Sequence, residues 1–79
     1  MNEAIIIGDV IARIRRKKGL SQEVLSSFAD IARTHLTMIE NGQRQPTLGT
    51  YFKICNALSM KPSELMKHIE TALCSVQQQ

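Results

Sequence analysis

Two short segments that read as helices, residues 21–29 and 33–40, are separated by a turn of about three residues, Asp30-Ile31-Ala32. That pair leaves few folds open to a chain of 79 residues. Ser21 can cap the first segment, and acidic Glu23 suits its positive N-terminal end. Val24, Leu25, Phe28 and Ala29 are expected to supply its apolar face. In the second segment Leu36 and Ile39 fall inward by helical spacing, and Asn41-Gly42 ends it.

The rest of the chain is also helical in pattern. Ile7, Val10, Ile11 and Ile14 recur at threes and fours as one stripe, and Gly19 stands just past the basic end of that helix. Residues 43–47 form a loop, because Pro46 cannot sit in a helix interior. Thr47 or its neighbour opens a fourth helix, with Leu48, Tyr51, Phe52, Ile54, Cys55 and Leu58 giving a wide apolar face. Pro62 suits a first helical position, and a fifth helix is expected over about residues 62–75, with residues 77–79 fraying. No segment alternates with period two, so the expected fold is all-α: five helices in one domain spanning residues 1–79.

Composition limits the function. Apolar residues make up 43% and aromatics 4%, so the core must be aliphatic, and no apolar run approaches a membrane span. Two cysteines, Cys55 and Cys74, make no disulfide framework, and the chain reads as cytoplasmic. Cys55 is expected in the core. His35 and His68 are far apart and no metal-ligand spacing exists, so no metal or cofactor is expected. Gly8, Gly19, Gly42 and Gly49 are scattered and form no phosphate-cradling motif, and no Ser/His/Asp constellation can be defended. No enzyme is read here. The net charge is +3, and five of the ten basic residues (Arg13, Arg15, Arg16, Lys17 and Lys18) lie within six positions. Such a cluster attracts polyanions, either nucleic acid or an anionic membrane, or is simply a solvated helix face.

The spacing at about residues 21–40 is that of a helix-turn-helix. The runs Leu20-Ser-Gln-Glu-Val-Leu, Arg33-Thr-His-Leu-Thr-Met-Ile-Glu-Asn-Gly42, Pro46-Thr-Leu and Lys53-Ile-Cys-Asn-Ala-Leu resemble, in this order, the phage-repressor (Xre/Cro-type) helix-turn-helix family. The resemblance covers about residues 10–66. It implies a five-helix double-stranded-DNA-binding fold whose third helix enters the major groove.

On that resemblance, the reading side chains lie near the start of the third helix. Arg33 can take a guanine edge bidentately, or a phosphate instead. Thr34 and Met38 can meet a thymine methyl, and Thr37 shares their outward face. His35 stands where relatives often carry an aromatic residue and is read as a rim or backbone contact. Gln22 is implied to bond a phosphate at the start of the second helix, and Asn41 and Arg44 follow in the loop that runs beside the phosphates in relatives. Arg15 is implied to pair with Glu40, tying the first helix to the end of the third. Lys17 and Lys18 add non-specific attraction. Two residues depart from the family pattern: Asp30 replaces a turn glycine, and Ala32 replaces a Ser or Thr cap worth about 1 kcal/mol.

The implied function is sequence-specific transcriptional regulation, as a repressor or controller protein. The chain is short enough that an effector domain is not expected, so control rests on occupancy of the site. Met66, Ile69, Leu73 and Val76 form a narrow apolar seam on the last helix, and a homodimer through it would bind a palindromic site. The alternative is an antitoxin or protein-interaction module whose main partner is a toxin, with DNA binding secondary. A basic module for membrane surfaces is a weaker rival.

Overall fold

The computed structural model describes residues 2–77, the side chain of Gln77 excepted. Five helices follow one another: α1 (Glu3–Lys17), α2 (Gln22–Ala29), α3 (Arg33–Glu40), α4 (Leu48–Ala57) and α5 (Pro62–Gln77). No strand is present among the described residues. The last helix is longer than the sequence pattern marks, and Gln77 still belongs to it. The fraying expected at residues 78 and 79 lies outside the described residues.

Local chemistry sets the helix starts. The Asn2 side chain accepts from the Ala4 N–H at 2.8 Å, Ser21 Oγ from Val24 at 3.0 Å, and Thr47 Oγ1 from Thr50 at 3.1 Å. Glu64 reaches back to accept from the Lys61 N–H at 2.9 Å ahead of α5. Each satisfies an N–H that the helix itself cannot. Helix α3 is the exception: Ala32 precedes it with no side-chain cap bond.

Four helix ends turn through one residue of positive φ: Gly19, Asp30, Gly42 and Ser59. Each closes with the same pair of backbone bonds, as when the Leu20 N–H donates to Arg15 O and the Gly19 N–H to Arg16 O. Asp30, at φ 55° and ψ 47°, adopts the left-handed conformation that favours glycine. Ser59 adopts it too, at φ 57°, at a connection whose composition does not advertise it.

The helices pack as a closed ring: α1 against α3, α3 against α2, α2 against α4, α4 against α5, and α5 back against α1. Ile11, Leu25, Leu36, Ile39, Ile54 and Leu65 are completely buried at its centre, and Cys55 joins them. Burial pushes the Cys55 thiol above its ordinary value. The Tyr51 hydroxyl donates to Pro62 O at 2.6 Å and ties α4 to the start of α5.

Three expectations about faces are corrected. On α2 only Leu25, Ser26 and Ala29 are buried, while Val24 and Phe28 are exposed, Phe28 by 64%. Leu25 and Ala29 point inward, which places Val24 and Phe28 one residue, or about 100°, around the helix, beyond the reach of α3 and α4. On α4, Tyr51, Ile54, Cys55 and Leu58 form the core stripe; Leu48 and Phe52 are exposed. Leu48 is the first helical residue and lies at the edge of the ring, and Phe52 is one step round from Tyr51. On α5, Ile69 is 3% exposed and belongs to the monomer's own core, not to an outward seam. It falls on the same face as Leu65, which packs inward four residues earlier.

Candidate nucleic-acid interface

Helix α3 has one buried stripe, Leu36 and Ile39, and presents Arg33, Thr34 and Met38 outward. Two attachments hold it on α1. At one, Gly8 of α1 lies so close to the end of α3 that a Cβ there would collide with the backbone carbonyl oxygens of Ile39 and Glu40. At the other, one turn or so from the C-terminal end of α1, Arg15 meets Glu40. Its Nε donates to Glu40 Oε2 at 2.7 Å and its Nη2 to Oε1 at 3.0 Å, while Nη1 donates to Leu20 O at 2.8 Å. The two side chains are only 10% and 3% exposed. The bond to Glu40 raises the Arg15 guanidinium above its ordinary range, against the opposing effect of burial. The pair also neutralises the single carboxylate of α3, so Arg33 sets the charge of that helix's outer face.

Helix α2 brings one side chain across to the same helix. Gln22, its first residue, donates from Nε2 to Glu40 Oε1 at 2.9 Å and accepts from the Thr37 hydroxyl at Oε1, also at 2.9 Å. After α3, the loop folds back: the Gln43 and Arg44 N–H groups donate to Met38 O at 2.9 and 3.3 Å. That holds Arg44 beside the C-terminal half of α3, next to exposed Asn41.

The structure therefore gathers Gln22, Arg33, Thr34, Thr37, Met38, Asn41 and Arg44 on and around α3. Arg33, Thr34, Asn41 and Arg44 are exposed, Met38 is 37% exposed, and His35, Thr37 and Gln22 are half-buried. Thr37 and Gln22 are hydrogen-bonded to each other, and Gln22 is bonded to Glu40 as well. Sequence reasoning did not find the Gly8 seat. Its signal was present: a glycine inside a run of apolar helical residues marks a close backbone approach. The Gln22–Thr37 contact, between residues fifteen apart in sequence, had no such signal.

Residues 11–65 match the helix-turn-helix family profile. The chain belongs to the helix-turn-helix family. The control protein C.MunI of Mycoplasma sp is 38% identical over 72 residues, which cover 89% of this chain and 97% of that protein. The protein y4dJ of Sinorhizobium fredii (strain NBRC 101917 / NGR234), described as an uncharacterized HTH-type transcriptional regulator, is 34% identical over 61 residues, 77% of this chain and 79% of that one. The crystal structure of the restriction-modification controller protein C.AhdI from Aeromonas hydrophila matches with a TM-score of 0.79 and 32% identity, over 82% of this chain and 98% of that chain.

In this helix-turn-helix protein α2, the turn at Asp30 and α3 make up the motif, and α1, α4 and α5 complete the ring that supports it. Among the described residues no helix is long and apolar enough to cross a membrane, and no three His, Cys, Asp or Glu side chains stand together as metal ligands.

Proposed function

We propose that this chain is a sequence-specific double-stranded-DNA-binding transcriptional regulator of the controller-protein kind, acting in the cytoplasm. The observation that carries this reading is the mounting of α3. A helix of eight residues is anchored at Gly8 and Glu40, turns Arg33, Thr34 and Met38 outward, and has Gln22 of α2 beside it. A recognition helix needs that arrangement: base-reading side chains on a rigid mount, with backbone-contacting groups alongside. Arg33 offers the bidentate donor pair that a guanine edge accepts, and Thr34 and Met38 offer methyl groups to thymine. Asn41 and Arg44 extend the polar surface toward a flanking phosphate. The relatives, named as control proteins and as a regulator, favour this reading over the antitoxin alternative.

The protein acts as a homodimer through α5. Met66 is 47% exposed, and Leu73 and Val76 are half-buried. A two-fold pair would set two α3 helices about 34 Å apart on one face of a duplex and double the phosphate contacts. Selection of bound sites from random duplex DNA tests the whole reading. The expected product is a palindrome with half-sites spaced by roughly one helical turn, bound less tightly as salt rises. Recovery of no preferred sequence would overturn it.

A further inference from the structure

The direction of every hydrogen bond in the cluster Arg15–Glu40–Gln22–Thr37 follows from one charge. Arg15 has only donors, and it places two of them on the Glu40 carboxylate. A carboxylate paired this way accepts and does not donate. The Gln22 atom 2.9 Å from Glu40 Oε1 must therefore be Nε2, which turns Oε1 toward Thr37. Amide oxygens only accept, so the Thr37 hydroxyl must donate to it. The same hydroxyl also points to Arg33 O, one turn earlier, at 3.0 Å, so its one hydrogen is shared between two acceptors inside the protein. Gln22 Nε2 carries two hydrogens and Glu40 takes one. The other meets no acceptor among the described residues.

We propose that Thr37 is a positioning residue, not a base-reading one: its hydroxyl holds the Gln22 amide oxygen so that the second Nε2 hydrogen is presented to a DNA phosphate. The inference rests on the DNA-binding reading above. The Thr37 proton is spent inside the protein, so the residue acts on DNA through Gln22. Without it, the amide keeps its bond to Glu40 but loses the anchor on its other side, and the donor is no longer held in one direction. Because phosphate contacts carry no sequence information, the loss falls evenly on all sequences.

The experiment uses the full chain and duplexes recovered by selection, together with variants of them changed at single base pairs. Thr37→Val removes the hydroxyl and keeps the shape. It is expected to weaken every duplex by the same factor, roughly three- to tenfold, as for loss of one hydrogen bond. In a Gln22→Ala background the same substitution should have no further effect, and Thr37→Ser should restore binding. Thermal melting of each variant accompanies the titrations, so that a fold defect is seen directly. A change of preference at one base pair, or losses that multiply in the double variant, would overturn the positioning role and return Thr37 to direct base contact. Wild-type protein that binds no duplex would overturn the DNA-binding reading and this inference with it.

Discussion

Arg15 and Glu40, twenty-five residues apart, meet side-on through the Nε and Nη2 donors of the guanidinium, at 2.7 and 3.0 Å, and this contact joins the end of α1 to the end of α3. The geometry is the bidentate one in which arginine binds carboxylate most strongly, and little solvent reaches it. Such a pair is costly to break on one side only, because the survivor is left charged and buried. Arg15→Met and Glu40→Gln should each lower stability by about 3 kcal/mol. Denaturant unfolding of the singles and the double should show coupling, with the double variant losing much less than the sum.

Gly8→Ala should destabilise the protein although alanine is the better helix former. Propensity alone would favour the change by about 1 kcal/mol. Here the new methyl meets the carbonyl oxygens of Ile39 and Glu40, backbone atoms that cannot rotate away. The expected loss is about 1–3 kcal/mol, as for overpacking elsewhere in cores, with α3 displaced from α1. A rise in melting temperature would show that the seat is looser than the structure has it.

Ala32→Ser should act in the opposite direction. Ala32 has the extended backbone of a capping position, φ −65° and ψ 142°, and lacks only the side-chain oxygen. The substitution is expected to add about 1 kcal/mol of stability through a bond to an N–H in the first turn of α3. Thermal melting measures it, and no gain would mean that water already serves those groups.

Arg33→Ala should cost about 1–3 kcal/mol of specific affinity and relax the preference at one base pair in each half-site. Repeating the site selection with the variant reads both effects. An even loss across sequences would assign Arg33 to a phosphate.

The α5 seam is best tested at Met66. Leu73 packs partly against its own core, so Leu73→Glu mixes folding with association. Met66 is half-exposed, and Met66→Glu should convert the proposed α5 dimer to a folded monomer by sedimentation while helicity and melting hold. Operator affinity should fall with it, since half the phosphate contacts are lost. A wild-type protein that sediments as a monomer at micromolar concentration removes α5 as an interface.

Much of this molecule could be read along the chain. Helix limits near Ser21, Ala29 and Glu40 follow from capping chemistry and turn residues, which act over a few positions and leave their mark in the sequence; the start of α3 at Arg33 carries no side-chain cap. The inward positions Leu25, Leu36, Ile39 and Ile54 follow from helical periodicity. The Arg15–Glu40 pairing was suggested by resemblance to a family and not by spacing. What the tertiary structure decided is which flank of each apolar face finds a neighbour. Periodicity shows that Val24, Phe28, Leu48 and Phe52 lie near the apolar side of their helices, but burial depends on where the adjoining helix stops. The ring of helices covers Leu25 and Tyr51 and leaves those four in solvent; the same ring takes Ile69 away from the seam. The partner that Gly8 seats and the Gln22–Thr37 bond lie beyond local reading for the same reason. Each is a contact between helices brought together only by the closed packing, and its partner is set by distance in space rather than by distance along the chain.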